Sequence, residues 1–331
     1  GGEMASVSIY GAGQLGQAVA TGLRERGSHR VAGPFPREDR ELALNSGADV
    51  VLIATTTLFK DVADYIRDAV NAGSNVLVSA EECAYPWAVD KKLADELDQL
   101  AKAKRVSIAG AGVNPGLIFD ALVATLLGPT PSGFNGDGSS KTTVVVRRTV
   151  NISGFGASVL RRIGVGATEK EFNEKVKRGE ILGHAGFPQS MNVVADALGL
   201  EIERIDKELL PVLTDREIDL PQRFIIKPGY SAGVNQTYTA IVKGKPWFSS
   251  HFFGHVDLAA IERGAKDEIE ISIDQKVHQR ISLNPGIGAQ MGSQNMVINS
   301  IERIIQAQSG WVTVAEIAPA LARSNESFSR K

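Results

Sequence analysis

The stretch SVSIYGAGQLGQAVATGLRERG, residues 6–27, decides the fold of this chain. It opens with SVSIY, which predicts a short buried strand. Leu15, Val19 and Leu23 then recur at the spacing of one helix face. Between strand and helix lies GAGQLG, residues 11–16, which fits the pattern G-x-G-x-x-G. A strand, a glycine turn and a helix in this order predict the first unit of a nucleotide-binding sheet.

The glycine motif predicts a cradle for a pyrophosphate. Its first glycine permits a tight turn, its second lets the backbone approach the ligand, and its third lets the helix pack closely. Alone the motif is weak because the chain has 34 glycines, and a purely structural turn is the alternative. Its position favours dinucleotide binding, for which we predict Gly11, Gly13, Gln14, Leu15 and Gly16.

Strands and helices alternate through the first part of the chain. Residues 48–57, 75–80 and 106–112 are largely apolar and are separated by amphipathic helices, a pattern typical of a parallel sheet covered on both faces. Later strands, such as 236–244, alternate between polar and apolar residues, which favours antiparallel pairing. The predicted fold is α/β: an N-terminal doubly wound Rossmann domain with a second α+β domain built on a mainly antiparallel sheet.

The same patterns predict the domain boundaries. We expect a dinucleotide-binding Rossmann domain over residues 1–128 and an α+β domain for substrate binding and dimerisation over 141–298. Residues 299–331 should form C-terminal helices that pack back on the Rossmann domain. Within 293–319 the pattern indicates a long helix, a turn and a short helix.

Composition and charge give little support to several classes of partner. Of 331 residues, 36 are Lys or Arg and 38 are Asp or Glu, giving a net charge of −2. This balance gives no reason to expect nucleic acid or an anionic membrane as a partner. The single cysteine, Cys83, cannot form an internal disulfide, which favours a reducing, cytoplasmic location. No spacing of His, Cys or Asp indicates a metal.

The type of dinucleotide depends on the end of the second strand. NAD sites usually carry an acidic residue about 20 residues after the glycine motif, but here Gly33 and Pro34 stand in its place and Arg37 follows. We predict NADP, with Arg37 near its 2′-phosphate and NAD still possible. Thr55, Thr56 and Thr57 are expected to end the third strand, where Thr55 and Thr56 should line the cofactor groove.

The fourth strand ends in the acidic pair of VLVSAEECAYPW, residues 76–87. Carboxylates are costly after an apolar strand, and Glu81 and Glu82 should lie near the reactive end of the cofactor. There a carboxylate could hold a substrate ammonium or move a proton. The alternative is that both cap a helix starting near Pro86. Cys83 lacks an evident partner histidine and is expected to be structural.

The fifth predicted strand ends in GAGVNPG, residues 110–116. Asn114 is held extended by the proline that follows it, and the glycines allow the backbone to pass close to a flat ring. We therefore predict Asn114 and Pro115 as a wall of the cofactor site. A plain turn at a strand end is the alternative.

Three of these motifs together resemble one enzyme family. GAGQLG, VLVSAEECAYPW and GAGVNPGLIFDAL are similar to segments of the 2,4-diaminopentanoate dehydrogenases and the related native amine dehydrogenases. The resemblance extends into the second half and implies NAD(P)H-dependent reductive amination of a ketone or aldehyde by ammonia, reversible as oxidative deamination. It also implies a homodimer formed through the second domain's sheet.

The resemblance carries one catalytic glutamate onto this chain. It falls on Glu82, with Glu81 as the alternate, and the carboxylate is expected to hold the amine. Phe119 and His184 are candidates for the substrate pocket. For an amino-acid substrate, such as a diaminopentanoate, the carboxylate anchor should come from the arginines of the second domain: Arg147, Arg148, Arg161 and Arg162.

Two other functions compete with this interpretation. Homoserine dehydrogenase has a similar two-domain plan, but a lysine would be expected at the end of the fourth strand, where this chain has glutamate. A non-catalytic dinucleotide-sensing protein would keep the glycine motif but would not need the acidic pair.

Overall fold

The computed structural model describes residues 4–323, which form two compact units. The first takes in the described residues of Gly1–Thr125 and Gly288–Lys331, together with Asn192–Ala197; the second comprises Leu126–Met191 and Leu198–Ile287. Residues 324–331, which belong to the predicted C-terminal segment, lie outside the described residues.

Both units combine strands with helices. The strands are β1 Ser6–Tyr10, β2 Arg30–Phe35, β3 Val50–Ile53, β4 Asn75–Val78, β5 Ser107–Gly110, β6 Thr142–Asn151, β7 Arg204–Leu213, β8 Ile218–Leu220, β9 Phe224–Ile226, β10 Ser231–Val242, β11 Lys245–His255, β12 Lys266–Ile273, β13 Lys276–Leu283 and β14 Gly310–Trp311. The helices are α1 Gln14–Arg26, α2 Arg40–Leu44, α3 Phe59–Asn71, α4 Lys91–Lys104, α5 Ala121–Leu127, α6 Ala157–Ile163, α7 Glu169–Lys177, α8 Phe187–Leu198 and α9 Ala289–Gln306.

The first unit is built on a parallel sheet with the strand order β14-β5-β4-β3-β1-β2. The chain proceeds from β1 to β2 on one side and from β3 through β4 to β5 on the other. The order therefore reverses between β1 and β3. In such sheets ligands bind at the carboxyl ends of the strands beside this reversal.

Apolar side chains cover both faces of this sheet, as predicted from its strands. On one face Val19 and Leu23 of α1 pack in the same core as Val297 and Ile301 of α9. On the other face α3 and α4 bury their apolar stripes. Helix α1 ends at Gly27, whose φ of 64° is easily adopted by glycine.

The C-terminal segment differs from its prediction. The long helix begins at residue 289 rather than inside 293–319, and within the described residues no short second helix follows. Instead β14 adds a parallel strand beside β5, with the Trp311 N–H donating to Asp98 Oδ1 at 2.8 Å. For the described residues the prediction of a short second helix is therefore wrong, because the aromatic and β-branched run around Trp311 fits a sheet edge better than a helix.

The second unit has a mainly antiparallel sheet, as predicted. Its strand order is β13-β12-β6-β11-β10-β7, and β6 with β11 is the parallel pair among the pairings of the described residues. Strand β6 alternates buried and half-buried residues along most of its length. A separate hairpin joins β8 and β9. The predicted fold class is confirmed.

Across residues 4–323, no helix combines the length and the apolar character that crossing a bilayer requires.

Candidate active site

A groove of about 370 Å³ lies at the carboxyl ends of β1, β3, β4 and β5 in the first unit. Four segments line most of it: residues 13–15, 54–57, 79–81 and 110–115. Each segment lies at, or within a few residues after, the carboxyl end of a strand of the parallel sheet. The groove therefore occupies the place where the strand order predicts a ligand.

The glycine motif forms one end of this groove. A Cβ on Gly11 would lie 2.2 Å from the Ala54 carbonyl oxygen, and one on Gly16 would lie 1.9 Å from that of Gly11. A Cβ on Gly13 would meet nothing within 4 Å, and no side chain caps α1 at this residue. The first N–H groups of α1 are thus accessible to an anion such as a pyrophosphate.

The threonine run lies beyond the strand that was expected to contain it. Strand β3 ends at Ile53, whose partner Val78 is also the last residue of β4. Thr55, Thr56 and Thr57 therefore belong to the loop that follows, and the prediction that they end the strand is wrong. All three still line the groove.

Asn114 presents a polar group that the fold leaves unsatisfied. Its Oδ1 and Nδ2 atoms are buried, and neither bonds to a described residue. Buried amides normally have partners. The loop itself is fixed by Asp120, which accepts hydrogen bonds from the N–H groups of Gly116 (2.7 Å) and Ala121 (2.6 Å). A ligand with both a donor and an acceptor, such as a carboxamide, fits this position.

The two glutamates have different surroundings. Both belong to the single 3₁₀ turn Glu81–Ala84, in which successive side chains point in different directions. Glu81 lines the groove, whereas Glu82 is absent from the lining among the described residues. Glu82 Oε2 instead accepts a long hydrogen bond of 3.5 Å from the N–H of Phe59, the first residue of α3.

Burial is the main influence on Glu82. It raises the pKa of this carboxyl above its usual value, and the Phe59 N–H opposes the shift. The alternative that the pair caps a helix near Pro86 is wrong. The 3₁₀ turn Pro86–Ala88 follows Tyr85 and has no side-chain cap, and α4 begins at Lys91 and is capped by Asp90, which accepts from the Leu93 N–H at 3.0 Å.

Cys83 follows these acids but points into the core. Burial raises the pKa of its thiol well above the usual value, and its carbonyl accepts a hydrogen bond from Trp311 Nε1 at 3.2 Å. A protonated thiol is a poor nucleophile. These observations support the expectation that Cys83 is structural.

The residues after β2 are those expected to contact the adenosine ribose of the cofactor. Arg37 is exposed and begins a short 3₁₀ turn. Its backbone carbonyl accepts a hydrogen bond from the Tyr10 hydroxyl at 3.0 Å. Its side chain is not part of the groove lining among the described residues. Nearby Arg40 is paired with Asp68 at 2.8 Å. The choice between NADP and NAD stays a prediction.

The two substrate-pocket candidates belong to different units. Phe119 is fully buried in the first unit. His184, in the second, is clamped by Gln236: its N–H donates to Oε1 at 2.8 Å, and its carbonyl accepts from Nε2 at 3.0 Å. Burial lowers the pKa of His184 to about 4, and its Nδ1 has no partner among the described residues. Their roles stay predictions.

Two of the arginines expected to anchor a carboxylate already have partners. Arg148 is buried and pairs with Asp267 at 3.0 Å, and Arg147 pairs with Glu268 at 3.0 Å. Arg161 lies over the ring of Phe224, 4.3 Å from its centroid.

One lining residue lies outside all the segments that the sequence analysis selected for this site. Ser293, in the first turns of α9, lines the groove although it lies far along the chain from the motifs. Its local pattern indicates only an amphipathic helix. Only packing of α9 against α1 brings it to the site.

Comparison with known proteins gives the family. Residues 117–329 match the family model described as the 2,4-diaminopentanoate dehydrogenase C-terminal domain. The chain is 30% identical over 353 residues to 2,4-diaminopentanoate dehydrogenase of Acetoanaerobium sticklandii, covering 95% of this chain and 94% of that protein. The chain belongs to the 2,4-diaminopentanoate dehydrogenase family. The resemblance inferred from the motifs is confirmed.

A solved structure gives the same fold. The amine dehydrogenase from Mycobacterium smegmatis matches with a TM-score of 0.78 at 20% identity, covering 97% of this chain and 98% of that one. The family makes this protein an NAD(P)-dependent oxidoreductase that acts on an amine, with a nicotinamide dinucleotide as its cofactor. The glycine cradle and the unsatisfied Asn114 amide fit that cofactor. The homoserine dehydrogenase and non-catalytic alternatives are thereby rejected.

Proposed function

We propose that this member of the 2,4-diaminopentanoate dehydrogenase family catalyses reductive amination of a ketone or aldehyde by ammonia, reversible as oxidative deamination of a primary amine. The observation that carries the proposal is a carboxylate, Glu81, in the lining of the groove that also contains Asn114. An anionic group near the reactive end of the cofactor suits a substrate that becomes cationic during the reaction. The bound cofactor supplies or accepts a hydride.

In this proposal Glu81 holds the cation. Its carboxylate stabilises the iminium that forms when ammonia adds to the carbonyl carbon and the carbonyl oxygen leaves as water, and afterwards the ammonium product of hydride addition. Catalysis then rests on positioning and electrostatics. Glu82 is the residue that the family resemblance selected, but its bond to the Phe59 N–H supports a different task. We propose that Glu82 fixes the turn from which Glu81 extends.

We propose that Asn114 binds the nicotinamide carboxamide. Its buried amide offers one acceptor and two donors, and the carboxamide needs both kinds of partner. Pro115, Thr55 and Thr56 complete the walls of the groove. NADP is the proposed dinucleotide, supported by the missing acid at the end of β2 and by exposed Arg37.

A second candidate substrate is 2,4-diaminopentanoate itself. It is favoured by the 30% identity, over 95% of the chain, to an enzyme named for that substrate. Such a substrate needs an anchor for its carboxylate. Of the four candidate arginines, Arg147 and Arg148 are paired with acids, so Arg161 or Arg162 is the proposed anchor.

Initial rates test this proposal. Oxidation of NADPH and of NADH is measured with excess ammonia against a panel of ketones, aldehydes and 2-oxo acids, and 2,4-diaminopentanoate is tested in the oxidative direction. Turnover of simple ketones or aldehydes supports the favoured substrate class, and turnover of the diamine alone supports the second. No turnover with any carbonyl compound would contradict reductive amination.

We also propose a homodimer formed through the sheet of the second unit, as the family resemblance implies. Charged side chains of three neighbouring strands line one face of that sheet in paired form, with Arg147 on Glu268 at 3.0 Å and Arg280 on Glu270 at 2.7 Å. Light scattering tests this, and a monomeric mass would contradict the homodimer.

We propose a reducing, cytoplasmic location, with which the single buried cysteine, Cys83, is consistent.

A further inference from the structure

A second cavity lies in the first unit next to the groove. It has a volume of about 570 Å³, within the range of about 300–1,000 Å³ that small-molecule sites occupy. Its walls come mainly from three segments: residues 111–125, 296–303 and 314–320. Ala111 and Gly112 line both this cavity and the groove. The two spaces therefore share a wall but have different linings.

Helix α9 connects the two cavities. Ser293 lines the groove, and Met296, Ser300 and Arg303 line the second cavity. Spacings of three and four residues place these side chains on one face of the helix. From residue 296 to residue 303 this face extends about 10 Å at the usual helical rise. An elongated ligand can therefore lie along α9.

The lining of the second cavity is mostly aliphatic. Small and branched side chains such as Leu117, Leu122 and Ile317 form it, and no aromatic residue belongs to it among residues 4–323. The hydroxyl groups present are already bonded: Ser300 Oγ donates to the Met296 carbonyl at 2.6 Å, and Thr125 Oγ1 donates to that of Ala121 at 2.8 Å. These walls favour an apolar chain.

Arg303 is the one charged side chain in the lining contributed by the described residues. Its Nε donates to the carbonyl of Pro319 at 2.7 Å, which fixes the guanidinium at the cavity wall. Its two terminal nitrogens make no hydrogen bond or ion pair with any residue in 4–323. A planar guanidinium with its outer edge unused matches the geometry of a carboxylate.

We infer that this cavity binds a small aliphatic carboxylate. The carboxylate contacts the terminal nitrogens of Arg303, and the alkyl chain lies along α9 toward Met296 and the shared wall. A single cation in an aliphatic cavity selects one negative charge on an apolar chain. A phosphate needs several cations or an open helix N-terminus. Arg303 is the one cation among the described lining residues, and the Ala121 N–H at the start of α5 is already bonded to Asp120 Oδ1 at 2.6 Å. The site goes beyond the proposed reaction and does not depend on it.

Calorimetry of the full chain tests this site with octanoate, whose extended chain is similar in length to the helix face. Octanamide, uncharged and of the same length, is the comparison ligand. Octanoate should bind with 1:1 stoichiometry and octanamide at least about tenfold more weakly, since a charge-assisted hydrogen bond contributes about 1.5–3 kcal/mol. Arg303→Met should weaken octanoate binding by a similar factor, and Arg303→Lys should restore part of it.

Two variants control for indirect effects. Lys92→Met removes one positive charge from an exposed position of α4 and should leave octanoate binding unchanged. Ala124→Phe adds a ring to the cavity wall while Arg303 is kept, and it should also abolish binding.

Three outcomes would overturn the inference. Equal affinity for octanamide and octanoate would remove the role of the charge, and unchanged binding in Arg303→Met would place the ligand elsewhere. If octanoate does not bind and Ala124→Phe instead changes a dimer to a monomer in light scattering, the cavity is a contact with a second copy of the chain. Because binding is measured without substrate, these outcomes are independent of whether the proposed reaction occurs.

Discussion

Arg148 in the second unit and Asn114 in the first both place polar side-chain atoms in the interior, but their hydrogen bonding is opposite. Arg148 contacts both carboxylate oxygens of Asp267 at 3.0 Å and the Ile287 carbonyl at 2.9 Å, and the Ile287 N–H returns a bond to Asp267 at 2.9 Å. The Asn114 amide bonds to no described residue. Closed networks indicate a structural role, whereas an unsatisfied buried group indicates a ligand site.

The largest expected effect is a loss of stability when the hydrogen bonds between Arg148 and Asp267 are broken. Asp267→Ala leaves the Arg148 guanidinium buried without its counter-charge, and we expect a loss of about 3–5 kcal/mol in the free energy of unfolding. Urea denaturation measures it. The matched control is Asp206→Ala, which breaks an exposed pair with Arg204 and should cost at most about 1 kcal/mol. Equal losses in the two variants would contradict the structural role of Asp267.

The next prediction separates the two glutamates. Glu81→Gln keeps the shape of the side chain but removes its charge from the groove, and kcat should fall by about 10²–10³-fold if the carboxylate stabilises the cationic intermediate. Glu82→Gln, which retains an acceptor for the Phe59 N–H, should lower kcat by less than about tenfold. Steady-state rates with excess ammonia measure both. The reverse order would restore Glu82 as the catalytic residue.

Acid should destabilise the second unit through His184. Burial holds its pKa at about 4 instead of the usual 6.5, so the unfolded chain binds more protons between these values. The stability present above pH 6.5 is then lost as the pH falls toward 4. One pKa unit corresponds to about 1.4 kcal/mol. We expect a smaller loss than the full shift would give, about 2 kcal/mol, because the His184 side chain is buried at Nδ1 but the residue as a whole is only partly buried.

Urea denaturation at a series of pH values measures this loss. The variant His184→Gln should show a flatter profile, and the exposed His278→Gln should keep the profile of the wild type. If all three profiles coincide, His184 is not the group responsible.

The smallest effect is expected from removing the unsatisfied amide of Asn114. Asn114→Ala should weaken NADPH binding by about tenfold, as expected for loss of one or two hydrogen bonds. It should not destabilise the cofactor-free protein, because no described residue loses a partner. Fluorescence titration and thermal unfolding measure the two quantities.

The control for Asn114 is Asn75→Ala. Asn75 donates to the Asp49 carbonyl at 3.0 Å and accepts from the Ser107 N–H at 2.9 Å. Its loss should lower stability by about 1–2 kcal/mol. If Asn114→Ala destabilises the cofactor-free protein as much as Asn75→Ala does, the Asn114 amide stabilises the fold and is not reserved for binding the cofactor.

The groove was largely predictable because its residues follow strands. In a parallel sheet the carboxyl ends of the strands meet at one edge, so GAGQLG, the threonines, the acidic pair and GAGVNPG converge there whatever the rest of the fold does. Ser293 was not predictable, because it reaches the groove through packing of α9 against α1. The second cavity was not predictable for the same reason.

The sequence by itself determined the alternation of strands and helices, the glycine cradle and the family, since each depends on local periodicity or on a short motif. Tertiary structure decided what neighbouring residues do. Glu81 and Glu82 are chemically identical and adjacent, so no local pattern distinguishes them. Their difference arises because the turn after β4 places one carboxylate in the groove and the other against the first N–H of α3.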